Sequence, residues 1–184
     1  SVVIWPLVAG IFFVLFYTWP LKFFGMGEPS VLLVWGPLMV GGTYAAITGG
    51  WNWSVALIGL VYALGPTTVL FGKHTDKLIE DKAKKIHTLP VIIGERNARW
   101  SVIIMIVSQP IVVAALVLSN VLEWPMLVTI LGLPTILSTA KVFSKPRPIT
   151  KPANHPKEGW PTYLAGFAFR CNRVTGMLFV LGLV

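Results

Sequence analysis

Six apolar stretches, each close to the length of a membrane-spanning helix, dominate this sequence of 184 residues. A helix needs about 20 consecutive apolar residues to cross the hydrocarbon core of a bilayer. Only 12% of the residues are charged, about half the fraction found in soluble domains. The pattern predicts one all-α domain, a polytopic integral membrane bundle of about six transmembrane helices, at about residues 1–17, 30–48, 53–72, 100–119, 124–143 and 162–184.

Positive charge is confined to one side of this predicted bundle. If residues 73–99 face the cytoplasm, Lys22 and residues 141–173 face it too, and these three regions contain all fifteen lysines and arginines. Lysine and arginine concentrate in cytoplasmic loops. We therefore expect a multi-pass protein of a bacterial or archaeal cytoplasmic membrane, with its charged loops in the cytosol. The net charge of +8 then reflects topology and anionic lipid headgroups, so the bilayer is an expected partner and nucleic acid is not.

Two polar connections separate the apolar stretches on the cytosolic side. Residues 73–99 are predicted to form a charged motif loop. Residues 144–161 are predicted to form a second loop, because its prolines recur too often for a helix. These prolines are Pro146, Pro148, Pro152, Pro156 and Pro161.

The first of these connections also contains a dense group of carboxylates. Asp76 and Asp81 are the two aspartates of the whole chain, and Glu80 lies beside them. Carboxylates this close repel one another, and solvent, basic neighbours or a divalent cation must offset that repulsion. The residues alone leave two interpretations open: a solvated loop with ion pairs, or a metal site.

The order of residues in this connection resembles a known motif. Acidic residues, then basic residues, then Thr88-Leu89-Pro90-Val91 and Gly94 are similar to the second acidic motif of the UbiA family of membrane prenyltransferases. In that family the carboxylates hold magnesium ions, which bind the diphosphate of an isoprenyl donor. The resemblance implies Mg²⁺ as cofactor, Asp76 and Asp81 as catalytic residues, and Asp76, Glu80 and Asp81 as metal ligands.

The spacing differs from the family pattern at one position. Asp81 lies seven residues before Thr88, as in the family, but Lys77 occupies the place of the second aspartate. Three explanations stay open: Asp76 and Glu80 act as a shifted pair on one helical face, a local bulge joins Asp76 to Asp81, or the metal site has decayed. Lys77 is also placed to pair with Asp81 and neutralise it.

A second segment extends the resemblance toward the start of the chain. Tyr17…Pro20-Leu21-Lys22, Gly25-Met26-Gly27-Glu28, and then Gly36-Pro37…Gly41-Gly42-Thr43-Tyr44 look most like the branch that prenylates dihydroxynaphthoate. The chain would match the fourth to ninth of about nine family helices. No asparagine followed by aspartates at four-residue intervals, the first acidic motif of the family, occurs here. We therefore expect the native polypeptide to be longer, and the decisive observation is whether a part before Ser1 carries that motif.

The resemblance also implies roles for residues outside the acidic group. Lys22, Lys77, Lys85 and His87 would contact the diphosphate, and Tyr17 and Tyr44 would line the cavity for acceptor and prenyl chain. Each has a simpler explanation. Lysines near a membrane surface are often solvated or snorkel, and tyrosines near helix ends often pack or anchor at the interface.

The implied function is Mg²⁺-dependent transfer of an isoprenyl group from an isoprenyl diphosphate to an aromatic acceptor, a quinone precursor. The alternatives are a non-catalytic UbiA-derived subunit and a scaffold that binds quinone or pigment without turnover. Either alternative would function within a larger membrane complex.

Overall fold

The computed structural model describes residues 2–153 and 159–184, and within them every regular element is helical. This confirms the predicted all-α bundle. The elements are α1 (Ile4–Phe16), α2 (Gly27–Thr48), α3 (Trp53–Asp76), α4 (Leu78–Ala83), α5 (Leu89–Leu118), α6 (Trp124–Phe143) and α7 (Tyr163–Leu183).

Five of the described helices are long and apolar enough to cross a membrane: α2, α3, α5, α6 and α7. The remaining apolar stretch of the predicted bundle, at residues 1–17, corresponds to the shorter helix α1. The first apolar stretch forms only the 13 residues of α1, which extend about 20 Å at 1.5 Å per residue. A hydrocarbon core is about 30 Å thick, so α1 is too short to cross it as a straight helix.

The prediction of a loop at residues 73–99 is wrong, because most of this region is helical. α3 continues through Lys73 and His74 to Asp76, and basic side chains in a last turn are favourable at a helix C-terminus. Pro90 lies in the first turn of α5, where proline is tolerated. The density of charge in the sequence therefore did not predict the backbone conformation. In the predicted proline-rich loop, residues 144–153 form no helix, and residues 154–158 lie outside the described part.

α3 lies at the centre of the bundle and packs against α2, α5 and α7. Small residues allow the close approach. A Cβ on Gly59 would lie 2.9 Å from the carbonyl oxygen of Gly36 in α2, and a Cβ on Gly72 would lie 3.0 Å from the Cα of Ala165 in α7. Lipid offers no hydrophobic drive for helix association, so such tight van der Waals packing is the main source of cohesion.

Two groups of buried apolar side chains fill the bundle around α3, one toward each end. The group near the C-terminus of α3 supports the polar residues described below. It consists of Phe71, Ala98, Val102, Ile106, Ile136, Phe143, Leu164, Ala168 and Cys171.

Candidate functional site

Three polar segments meet at the end of the bundle where α3 finishes: residues 17–26, residues 73–99, and the described residues of the connection before α7, 144–153 and 159–162. We call this the charged end. The first segment approaches the second at Gly25, where an added Cβ would lie 3.5 Å from both the carbonyl oxygen of His87 and the Cα of Leu89, and where φ is +70°. Glycine adopts this left-handed conformation without steric penalty. Asp76 and Arg147 join the second segment to the third.

A buried pair of ionisable side chains, Glu28 and His74, connects the helices of the charged end. Glu28 lies in the first turn of α2 and His74 in the last turn of α3, and the two residues are 1% and 3% exposed. Glu28 Oε1 lies 2.6 Å from His74 Nδ1. Glu28 Oε2 accepts a longer hydrogen bond of 3.4 Å from the backbone N–H of Leu89, at the start of α5. The Glu28 carboxylate therefore links α2, to which it belongs, to both α3 and α5.

Asp76 has a full set of hydrogen-bond donors at the start of α7. Its two carboxylate oxygens accept from the backbone N–H groups of Leu164 and Ala165 at 3.0 and 2.9 Å. Arg147 Nε donates to Asp76 Oδ1 at 3.0 Å. The Asp76 side chain is 1% exposed. A carboxylate at a helix N-terminus is stabilised by the unpaired N–H groups and the helix dipole.

Arg147 extends this contact into a network across the charged end. Its guanidinium lies 4.9 Å from the ring centre of Trp160 and donates to the carbonyl oxygen of Pro161 at 2.8 Å. Its backbone N–H donates to Glu95 Oε1 at 2.9 Å. Glu95 Oε1 also lies 3.1 Å from Nε of Arg99, whose Nη1 donates to a backbone carbonyl at 2.8 Å. The network ties α3, α5 and the connection before α7 together.

Asp81 has very different surroundings. It lies on α4, is 7% exposed, and its Oδ2 atom is buried without a hydrogen-bond partner. The hydroxyl of Thr88, which is 0% exposed, is also buried and unpaired. No ion pair joins Lys77 to Asp81 in the described part of the chain. A buried carboxylate oxygen without a donor is strongly unfavourable unless a cation or donor completes it.

The three predicted metal ligands do not form one cluster. Asp76 faces Arg147 and α7, Asp81 is buried on α4, and Glu80 beside it is exposed. Within residues 2–153 and 159–184, no group of three His, Cys, Asp or Glu side chains is arranged to hold a metal ion. The helix is interrupted at Lys77, so Asp76 ends α3 while Glu80 and Asp81 lie on α4.

The predicted diphosphate-binding residues lie on two segments of the charged end. Lys22 is half-buried in the short 3₁₀ turn Leu21–Phe24, and Lys77 is half-buried between α3 and α4. Lys85 and His87 are exposed in the connection between α4 and α5. Lys85 has φ +56°, which places it at a sharp turn. Lys77, Lys85 and His87 flank Asp81 in sequence, and the exposed side chains of Lys85 and His87 are free to reach an anion.

An apolar groove runs along α1 and α2 toward the charged end. It consists of two adjoining cavities of about 700 and 330 Å³. Tyr17 and Ser30 line the smaller cavity, which is nearer to Glu28. Burial, and to a smaller degree the charge of Glu28, raises the pKa of the Tyr17 phenol above its usual value. Tyr44 does not line either cavity and lies toward the other end of α2, so the structure does not place the two tyrosines together.

Sequence reasoning assigned no role to Glu28, His74 or Arg147, although the structure makes them central to the charged end. One signal was available for Glu28, because it is the first acidic residue of the chain and lies within apolar sequence. His74 and Arg147 gave no signal, because each lies among other basic residues.

The comparisons with known proteins address the family directly. The family model described as the UbiA prenyltransferase family matches residues 1–155, which is most of the chain. Separate searches of curated proteins and of solved structures found no match. The matched region contains α1 to α6, the Glu28–His74 pair, and both aspartates of the acidic stretch. The chain therefore belongs to the UbiA prenyltransferase family.

Proposed function

We propose that this protein transfers an isoprenyl group from a diphosphate donor to an aromatic acceptor at the charged end. Family membership supports a prenyltransferase-type function. The observation that carries the proposal is the Asp81 carboxylate, which is buried with an unpaired oxygen in the segment that ends at Thr88. A buried oxygen without a hydrogen-bond partner destabilises the fold by a few kcal/mol. Such unpaired groups are typical of functional sites.

Magnesium fits this proposal through Asp81 alone. Mg²⁺ commonly binds one or two carboxylates and completes its shell with water and substrate phosphate oxygens. Asp81 offers one unpaired oxygen, whereas both oxygens of Asp76 already accept hydrogen bonds. When bound, the ion would neutralise charge on the departing diphosphate. Asp76 is thus a residue that positions α7, and Asp81 is the ligand we propose.

The other residues of the charged end would bind the donor. Lys22, Lys77 and Lys85 are cationic, and with His87 they would contact the diphosphate oxygens as point donors. The apolar groove along α1 and α2 would hold the isoprenyl chain and shield the allylic carbocation from water. Tyr17 and Ser30, at the end of the groove near Glu28, would contact the acceptor.

The decisive variant is Asp81→Asn in the full-length protein, assayed for Mg²⁺-dependent prenyl transfer in lipid. We expect activity to fall about a hundredfold or more, because the site loses a charged ligand and several kcal/mol of electrostatic stabilisation. Thermal stability should be unchanged or higher, because the substitution removes an unpaired buried charge.

Glu80→Gln is the matched control, since Glu80 is the adjacent carboxylate and is exposed. It should keep activity within about twofold, as surface changes usually have small effects. Equal activity in wild type and Asp81→Asn would reject Asp81 as a ligand. A wild-type protein without prenyl transfer to any aromatic acceptor would reject the proposed function.

One observation favours a second candidate, the non-catalytic scaffold. Asp76 binds Arg147 and the N-terminus of α7, and Lys77 occupies the family position of the second aspartate. If the natural protein is a scaffold that lost its second metal ligand, the wild type would show no prenyl transfer. Lys77→Asp would then restore an acidic pair with Asp81, and activity gained in this variant alone would identify the natural protein as a scaffold.

A further inference from the structure

Two arginines lie inside the last membrane-spanning helix, on its exposed side. Although Arg170 and Arg173 belong to the predicted cytosolic region 141–173, they are the eighth and eleventh of the 21 residues of α7. Both side chains are exposed. Within the described part of the chain, neither guanidinium has a hydrogen bond or an ion pair. We propose that the two arginines form a docking surface for a partner transmembrane helix that carries carboxylates at mid-depth in the membrane.

The packing of α7 on α3 fixes the depth of these arginines. Gly72 of α3 lies against Ala165 of α7. Seven residues earlier in α3, Gly65 lies against Asn172, which is seven residues later in α7. The two helices are therefore antiparallel, and Arg173 is level with the middle of α3. Its distance from the start of α7 is about 15 Å, half the thickness of a hydrocarbon core.

This depth argues against a lipid headgroup as the partner. If the membrane surface crossed α7 at Arg173, only the ten residues Val174–Leu183 would lie in lipid, which extend about 15 Å. Such a segment is too short to span the core. Arginines near helix ends reach the interface with their long side chains, but Arg173 is as far from one end of α7 as from the other. A headgroup phosphate is therefore a poor match for Arg173.

A charged side chain in the middle of a membrane helix needs a counter-charge. Such residues are rare and costly in lipid, and they pair with one another or face a water-filled cavity. Arg170 and Arg173 are three residues apart, so they share one face of α7. A facing helix with one or two carboxylates at this depth can bind both. The planar guanidinium suits this role, because it binds a carboxylate through two parallel N–H groups.

The rest of this face suits a helix. α7 packs against α3 and α6 with its other side. The exposed stripe continues through Gly166 toward the charged end and through Met177 toward the opposite end. Nothing lies within 4 Å of a Cβ on Gly166, so a neighbouring backbone can approach there. No residue of the stripe lines the apolar groove along α1 and α2.

A second copy of this chain does not supply the counter-charge. In the described part of the chain, every acidic residue lies in α4, in a connection, or within seven residues of a helix end. None of these reaches the depth of Arg173. Two copies that met through α7 would also bring like charges together. The acidic residues of the sequence are Glu28, Asp76, Glu80, Asp81, Glu95, Glu123 and Glu158.

A model transmembrane peptide tests the surface directly. The peptide has about 20 leucine and alanine residues, enough to span the core, with two glutamates one turn apart at its centre. A matched peptide has glutamines at those two positions. The chain of 184 residues is placed in phosphatidylcholine vesicles with a dye at Lys84→Cys, an exposed position of the charged end. Energy transfer from a dye on the peptide measures association.

We expect the chain with both arginines to bind the glutamate peptide at least about tenfold more tightly than the glutamine peptide, the range for close charge pairs. Replacing both arginines, Arg170→Gln with Arg173→Gln, should abolish this preference. Thermal stability should not fall, because neither side chain loses a partner within the described chain. Arg96→Gln, at an exposed arginine of the charged end, is the matched control and should keep the preference.

Charge reversal gives a second test. Arg170→Glu with Arg173→Glu should lose the glutamate peptide and instead prefer a peptide with two central lysines. A preference for the glutamate peptide that survives this reversal would overturn the proposal.

Three further outcomes would also overturn it. The first is equal affinity of the two peptides for the chain with both arginines. The second is displacement of the glutamate peptide in vesicles of equimolar phosphatidylcholine and phosphatidylglycerol, which would assign the arginines to lipid headgroups. The third is energy transfer between two labelled copies that depends on both arginines, which would assign the face to a second copy. Prenyl transfer is not measured, and α7 lies beyond the residues that match the family, so none of these outcomes depends on the proposed function.

Discussion

At the scale of single residues, the two aspartates of one acidic stretch have opposite environments. Asp76 accepts three hydrogen bonds, one of them from its ion-pair partner Arg147, whereas Asp81 leaves a buried oxygen unpaired. The first environment stabilises a carboxylate, and the second needs a partner from outside the described residues. The same side chain therefore holds a helix in place at one position and offers a ligand at the other.

Asp76→Asn tests this division. The amide keeps one acceptor oxygen but presents an N–H₂ group to a backbone N–H, and it leaves Arg147 without its counter-charge. We expect the free energy of unfolding to fall by about 3 kcal/mol, since removing one partner of a buried pair is strongly destabilising. Thermal denaturation in detergent measures the change. Asp81→Asn is the matched comparison, and a larger loss of stability there than in Asp76→Asn would contradict the assignment.

At the scale of elements, a break inside α5 directs the motif segment. Gly94 has φ +81° and ψ 159°, although regular helix lies on both sides of it. This region of backbone conformation is accessible almost only to glycine. The turn Leu89–Ile93, with Pro90 at its start, is thereby set at an angle to the rest of α5 and lies against Gly25. The break brings the Leu89 N–H to Glu28.

Gly94→Ala should reveal the cost of this conformation without a steric clash, because nothing lies within 4 Å of a Cβ at this position. We expect a loss of about 1 to 3 kcal/mol in unfolding free energy, entirely from backbone strain. Gly166→Ala in α7 is the control. It also meets nothing within 4 Å but lies in a helix with ordinary φ, so alanine should be neutral or slightly stabilising. Equal effects at both positions would argue against the strained break.

At the scale of the whole molecule, the connections alternate between two unlike ends. The charged end contains the three polar segments, and the opposite end contains the short connections after α2 and α5, with Glu123 as the acidic residue there. Lysine and arginine concentrate in cytoplasmic loops, so we predict that the charged end faces the cytosol. Asn52 caps α3 by accepting from two backbone N–H groups, so it must stay intact in any test of this orientation.

Gly50→Cys and Lys84→Cys place single thiols at the two ends for such a test. Both sites tolerate substitution, because nothing lies within 4 Å of a Cβ on Gly50 and Lys84 is exposed. In sealed vesicles an impermeant thiol reagent should label the two variants from opposite sides. The buried native Cys171 should contribute little background. Labelling of both variants from the same side would refute the topology.

The sequence by itself determined the membrane class, the all-α architecture and the separation of charge to one end. Hydropathy and charge act through partition between lipid and water, which depends on local composition and needs no tertiary contact. The order Thr88-Leu89-Pro90-Val91 similarly indicated the family that the comparison found. The bounds of the helices were less predictable, because α3 and α5 extend into charged sequence that hydropathy excludes.

Only the tertiary structure decided which partner each polar group has. His74 meets Glu28 across 46 positions of sequence, and Arg147 meets Asp76 across 71. A carboxylate looks the same in the sequence whether a helix N-terminus, a histidine or nothing lies against it. The folded chain distinguishes these cases, because burial makes each missing or added hydrogen bond count. The roles of Asp76, Asp81 and the Glu28–His74 pair therefore depend on which helices the bundle packs together.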